Sequence, residues 1–212
     1  MTGYRPITKD KGLDFNPSWF TEARDTKMKT GHYCQYQFGS KLYNDFWNEE
    51  YKRCIEGYTV NGYTLTGPHY FFLNYYKLPN PDAEKAGTSR FSVYPSFYTY
   101  QYEFFHYYEL CRALHKNCGL MKSRGIGFSE INAALLANEY SCHSESNSIL
   151  TAYNSNYVEK SLEKVWNELT FLNDETDYGF FKLRQAIDSQ LKKRASYYKI
   201  VNGQKVEDGF MS

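Results

Sequence analysis

The sequence predicts an α/β fold: the first part of a parallel sheet, incomplete at its C-terminal end, behind an aromatic-rich α+β extension. Three observations carry this expectation. Residues 119–172 read as strand, helix, strand, helix, the rhythm of a parallel sheet with crossover helices. A loop with two glycines, Leu120 to Glu130, lies between the first of those strands and its helix. The preceding part is dense in rings, in a chain of 212 residues whose 22 Tyr, 15 Phe and 3 Trp make up 19%. So many tyrosines imply a core built from aromatic side chains. We therefore expect an extension over residues 1–88 and the beginning of the sheet domain over 89–212, with the boundary in the polar, proline- and glycine-bearing run Leu78 to Gly87.

Element by element, Asn16-Pro17 is a cap followed by proline at a first helical position, opening a short helix through Trp19 and Ala23 that ends near Gly31. A second helix starts at Ser40, with Leu42, Phe46, Trp47 and Cys54 as its apolar stripe, and Gly57 stops it. Tyr58 to Leu65 alternates around Asn61-Gly62, a strong hairpin signal. The aromatic run His69 to Tyr76 is a buried strand or short helix. After Pro95 a helix carries Phe97, Gln101, Phe104, Tyr108 and Cys111 along one face and ends by Gly119. Gly119 to Lys122 is the first strand of the sheet, followed by the loop and a helix with Ile131, Ala134 and Leu135 inward. Ser148 to Tyr153 is the second strand. Asn156, with Glu159 as capping-box partner, opens a third helix whose core face is Val158, Leu162, Val165, Leu169 and Leu172. Lys199 to Val206 reads as another Asn-Gly hairpin.

Composition narrows the function classes. Hydrophobic residues at 42% and charged residues at 23% indicate a globular chain, and a net charge of +1 gives no global field for nucleic acid. The five cysteines form no CxxC pair, which argues against a disulfide framework or a zinc knuckle and for a reducing compartment. The first ten residues lack the apolar core of a signal peptide, and no run approaches the ~20 apolar residues of a membrane span. The expectation is a soluble intracellular protein that does not engage a membrane. The five histidines show no ligand spacing, and Phe128-Ser129-Glu130 lacks the second glycine of a nucleophile elbow because Ile131 stands there. The basic residues Lys182, Arg184, Lys192, Lys193, Arg194 and Lys199 are either a solvated face or a contact for a DNA backbone.

The chemistry lies in Leu120-Met-Lys-Ser-Arg-Gly-Ile-Gly-Phe-Ser-Glu130. Gly125 and Gly127 let the backbone turn tightly and aim N–H groups at an anion, and a following helix adds about half a positive charge. Lys122 and Arg124 supply full charges, and Ser129 offers a hydroxyl suited to Mg²⁺. The pattern G-x-x-x-x-G-K-[ST] is not met: Lys122 falls at its first glycine, Phe128 at its lysine and Ser129 at its hydroxyl. The lysine is thus displaced to the end of the strand, from where a flexible side chain still reaches phosphates. A plain βα turn with exposed Lys and Arg would share this string. Upstream, Gln101 has the amide geometry to pair with both edge groups of adenine.

Lys122-Ser-Arg-Gly-Ile-Gly-Phe-Ser129 resembles the variant Walker A of the large terminase subunits of tailed bacteriophages, the ATP-driven DNA-packaging motors. Glu130-Ile131, the segment Gly57 to Tyr63 with Tyr70 to Tyr76, Gln101, and Ala152-Tyr153 are also similar to that family, so the likeness covers most of residues 57–172. It implies a P-loop NTPase-type fold, with ATP and Mg²⁺ as cofactors. Nucleotide contacts would come from Gln101, Lys122, Ser123, Arg124, Gly125, Ile126, Gly127, Phe128 and Ser129, with Mg²⁺ at Ser129. Lys122 and Arg124 would be the catalytic cations, Arg124 as an arginine finger in cis. The implied enzyme is the ATPase of a full-length motor in the host cytoplasm. Its implied partners are double-stranded DNA, the portal and the small terminase subunit, with oligomerisation on the portal. One departure stands out: no apolar strand ending in Asp-Glu follows Tyr153, since Glu207-Asp208 ends a polar stretch. The expectation is therefore an N-terminal part of a longer subunit, without the acidic catalytic strand and the nuclease domain. Two other readings fit the same residues: a non-catalytic module that docks a packaging component, and another P-loop nucleic-acid motor such as a helicase.

Overall fold

The computed structural model describes residues 4–7, 15–79, 92–176, 185–189 and 192–211. Helices alternate with short antiparallel sheets, and the chain divides into two compact units, Met1–Phe128 and Ser129–Ser212.

The first unit begins with a single 3₁₀ turn, Pro17–Phe20, whose first amides are capped by the Asn16 side chain, which accepts from the Ser18 N–H at 3.0 Å. Helix α1 (Glu22–Thr30) follows and closes on Gly31. Helix α2 (Lys41–Glu56) is capped by the Ser40 hydroxyl, and strands β1 (Tyr58–Val60) and β2 (Tyr63–Leu65) form the hairpin over Asn61-Gly62. The inward stripe of α2 is Tyr43, Trp47, Glu50 and Cys54, whereas Leu42 is 57% exposed. Trp47 and Cys54 lie inward as expected and Phe46 is half-buried, while at the helix start Tyr43 takes the inward place expected for Leu42. Helix α3 (Gly67–Tyr75) takes the aromatic run as helix, and all nine of its residues are buried.

What lets α3 sit so deep is the absence of a Cβ at Gly67, where one would lie 2.4 Å from the Ile55 carbonyl oxygen. Buried polar groups around it are paired. The Glu50 carboxylate accepts from the Tyr70 and Tyr75 hydroxyls, each at 2.7 Å, and from Arg53 at 2.8 Å. Burial still pushes the Glu50 carboxyl above its ordinary range, against those hydroxyls and Arg53. The Asn74 amide donates to the carbonyls of Phe20 at 2.8 Å and Tyr70 at 3.0 Å, and its oxygen accepts from the Arg24 N–H at 3.3 Å. His69 differs. It is stacked between Phe105 at 4.6 Å and Phe97 at 5.5 Å, and among the described residues neither ring nitrogen meets a hydrogen-bond partner.

Strands β3 (Leu78–Pro79) and β4 (Ser92–Val93) pair, and helix α4 (Thr99–Ala113) packs against α3. Residues on both sides of position 88 thus lie in this first unit. Most of the run Leu78 to Gly87 lies outside the described residues.

In the second unit, helix α5 (Phe128–Cys142, its first residue belonging to the first unit) buries Ile131, Ala134 and Leu135 as expected. Helix α6 (Ser155–Glu175) buries Val165 and Leu172, and half-buried Leu169 packs on Tyr140. Its cap is Asn154, whose side chain accepts from the Tyr157 N–H, and not Asn156: the helix opens two residues before the capping-box string suggests. Strands β5 (Gln185–Ser189), β6 (Lys192–Val201) and β7 (Gln204–Met211) form an antiparallel sheet, with β6 and β7 joined over Asn202-Gly203. Lys182 and Arg184 of the basic cluster lie outside the described residues.

The expected parallel sheet is not formed among the described residues. Residues 119–122 and 148–153 pair with no strand, and every pairing present is antiparallel. Two-residue Asn-Gly turns close hairpins at little entropic cost, whereas a parallel neighbour must come from a distant segment. Among the described residues, no helix is long and apolar enough to cross a membrane.

Candidate functional site

The loop expected to carry the chemistry is open to solvent. After α4 the chain runs exposed through Met121, which is 99% accessible, and turns over Arg124-Gly125 before α5 opens at Phe128. Gly125 at φ 85° and Gly127 at φ 74° occupy the left-handed region, and a Cβ at either would meet nothing within 4 Å. Glycine here serves backbone conformation and an unobstructed approach. Among the described residues, no backbone N–H from Lys122 to Gly127 donates to another backbone group. These amides precede the N-terminus of a 15-residue helix, where the peptide dipoles favour an anion.

Helix α4 braces one side of this loop. The Tyr100 hydroxyl donates to the Ile126 carbonyl at 3.1 Å, and the Phe128 ring meets Phe104 edge-on at 5.1 Å between centroids. Between these two contacts in sequence stands Gln101, only 4% exposed, with a side-chain oxygen that has no hydrogen-bond partner among the described residues. A buried carbonyl left unpaired costs about 1–3 kcal/mol, so a donor supplied by a ligand would be gained at that atom. The exocyclic amine of adenine is such a donor. Tyr98 and Tyr100 stack on each other at 5.4 Å beside it and stay largely exposed.

Lys122, Ser123 and Arg124 are exposed, with Lys122 ahead of the turn and Arg124 in it. Ser129 is also exposed. Its hydroxyl accepts from the Lys164 ammonium at 3.3 Å, and the same ammonium pairs with the Glu130 carboxylate. No sequence signal pointed to Lys164, which is on α6 and far from the loop along the chain.

The unbonded amides suit a phosphate, and the Gln101 oxygen is an orphaned acceptor that is enclosed as it stands. For Mg²⁺ the fit is narrower. Among the described residues no group of three His, Cys, Asp or Glu side chains could hold a metal, so Ser129 would share the ion with phosphate oxygens and water. Two histidines have structural surroundings: His106 donates to the Thr64 carbonyl at 2.8 Å, and burial holds His69 down to about 3. Searches of family models, curated proteins and solved structures find no match to this chain.

Proposed function

We propose that the chain is the ATP-binding, N-terminal part of a large terminase subunit, the motor that packages DNA into a phage head. One observation carries this reading: an exposed glycine turn with unbonded amides runs into a helix start and is braced by the helix that holds a buried, unpaired glutamine. The triphosphate sits on the amides from Lys122 to Phe128. Lys122 and Arg124 neutralise its charge, Ser129 offers an oxygen to Mg²⁺, and Gln101 pairs with the adenine edge. Magnesium, when bound, would polarise the terminal phosphates.

In this reading residues 119–122 and 148–153 are strands of a P-loop-type parallel sheet whose neighbours come from elsewhere in the subunit. The acidic strand that activates water and the nuclease site are likewise assigned to the rest of the protein, so hydrolysis belongs to the whole subunit. Double-stranded DNA, the portal and the small terminase subunit are the partners, and the host cytoplasm the compartment.

Isothermal titration with a non-hydrolysable ATP analogue and Mg²⁺ tests the proposal. The wild-type chain is expected to bind saturably, Lys122→Ala to bind at least about tenfold more weakly, and Gln101→Ala to lose its preference for adenine over guanine nucleotides. A folded wild-type chain that binds neither nucleotide rejects the motor.

A further inference from the structure

We propose that Tyr100 is a positioning residue of the phosphate-binding turn, holding the peptide between Ile126 and Gly127 so that its N–H is offered to the ligand; the inference rests on the nucleotide-binding reading above. Every group involved belongs to the first unit. The Tyr100 hydroxyl donates to the Ile126 carbonyl at 3.1 Å. In a trans peptide the carbonyl of one residue and the N–H of the next point in opposite directions. With the Ile126 oxygen turned toward α4, the Gly127 N–H is turned away from that helix. Gly127 is exposed, and among the described residues its N–H donates to no backbone group.

The turn does not hold this orientation by itself. Flipping the 126–127 peptide changes chiefly ψ of Ile126 and φ of Gly127, and glycine accepts either sign of φ about equally well. Gly127 stands at φ 74° and Gly125 at φ 85°, and a Cβ at either would meet nothing within 4 Å. The space around the glycines therefore leaves both directions open. In the flipped form the Ile126 carbonyl oxygen would stand where the N–H now points, and its partial negative charge would repel a phosphate. The hydroxyl from α4 selects between the two. One helical turn further along α4, Phe104 meets the Phe128 ring at 5.1 Å and holds the far end of the turn. A tyrosine that merely fastened the loop to α4 would show in stability, whereas one that orients this peptide shows at a single amide.

The test compares wild type, Tyr100→Phe, Gly127→Ala and the Tyr100→Phe/Gly127→Ala double variant by titration with the ATP analogue plus Mg²⁺, with thermal melts in parallel. Tyr100→Phe keeps the ring beside Tyr98 and removes only the hydroxyl. It is expected to weaken the analogue about fivefold while moving the melting temperature little. Gly127→Ala disfavours the same left-handed conformation, so the double variant should bind about as weakly as Gly127→Ala alone. In isotope-labelled protein the Gly127 amide resonance should move on saturation with the analogue in wild type, and clearly less in Tyr100→Phe. Losses that multiply in the double variant, or an equal amide shift in both proteins, overturn the role of Tyr100. So does wild-type-like binding by Tyr100→Phe in a protein where Lys122→Ala weakens binding, and that result leaves the nucleotide site standing. A folded wild type that does not bind the analogue overturns both. If Gly127→Ala binds too weakly to titrate, the amide shift decides.

Discussion

Gly67 and Gly127 are the same residue put to opposite uses, and they separate the two regions of the molecule that matter most. At Gly67 the missing Cβ admits a backbone: Ile55 and Cys54 carbonyl oxygens would lie 2.4 and 2.6 Å from it. Around it stands a dense aromatic core, with Tyr70, Phe71, Phe72 and Tyr75 fully enclosed. At Gly127 the missing Cβ faces empty space, and the turn around it is exposed with unbonded amides. Close packing holds the first region together, while the second is left unfilled at the start of a helix. Stability and ligand binding should therefore respond to different substitutions.

Four expectations sharpen that contrast, from the largest effect to the smallest. Gly67→Ala forces a methyl into backbone carbonyls and should cost about 3 kcal/mol or more in denaturant unfolding, since overpacking a fixed core has nowhere to relax. An alanine there that costs less than about 1 kcal/mol would show the α2–α3 contact to be looser than described.

Acid should also discriminate. His69 is held down to about 3 by burial, with neighbouring His106 adding to the effect. Between about 6.5 and 3 the unfolded chain takes up a proton that folded His69 refuses, so stability falls as pH drops through that window. The slope from one such group is at most about 1.4 kcal/mol per pH unit. His69→Phe, which replaces a ring without hydrogen-bond partners between two phenylalanines, should fold normally at pH 7 and flatten the decline. Melting curves across that range check it, and an unchanged slope would assign the acid sensitivity to other groups.

Gly127→Ala is predicted to cost only about 1 kcal/mol, the price of a left-handed conformation without steric conflict, yet to weaken the ATP analogue at least about tenfold. A stability loss as large as that of Gly67→Ala would erase the distinction between the regions. Lys122→Ala should leave the melting temperature unmoved while lowering analogue affinity, because its side chain is exposed.

Much of this was legible in the sequence where the signal is local. Asn16, Ser40, Gly31 and Gly57 mark helix ends, and Asn61-Gly62 and Asn202-Gly203 mark hairpins, because each acts through its own few backbone atoms. Gln101 could be placed on the buried face with Phe104 and Cys111 from helical spacing alone. Signals that depend on distant partners were not readable. Residues 119–122 and 148–153 have strand-like strings, but a string does not say what lies beside it. On α2 only Leu42 was misplaced, because Tyr43 beside it takes the buried position, as a tyrosine does when its hydroxyl is satisfied or reaches the surface. Asn154 and Asn156 are both competent caps two residues apart, and only the backbone path chose between them. The Lys164–Glu130 pair was invisible because it arises where two helices meet, and no pattern within either helix announces it.

The Arg24 guanidinium donates to the carbonyls of Leu73 and Pro95, while the Tyr102 hydroxyl on α4 donates to the Arg5 carbonyl at 3.1 Å. Arg5 is therefore tied to the helix that carries Gln101, and Arg24 to the segment just before it. Removing Arg5 would leave the Tyr102 hydroxyl, next to Gln101 in the chain, without an anchor that lies nearly a hundred residues away in sequence.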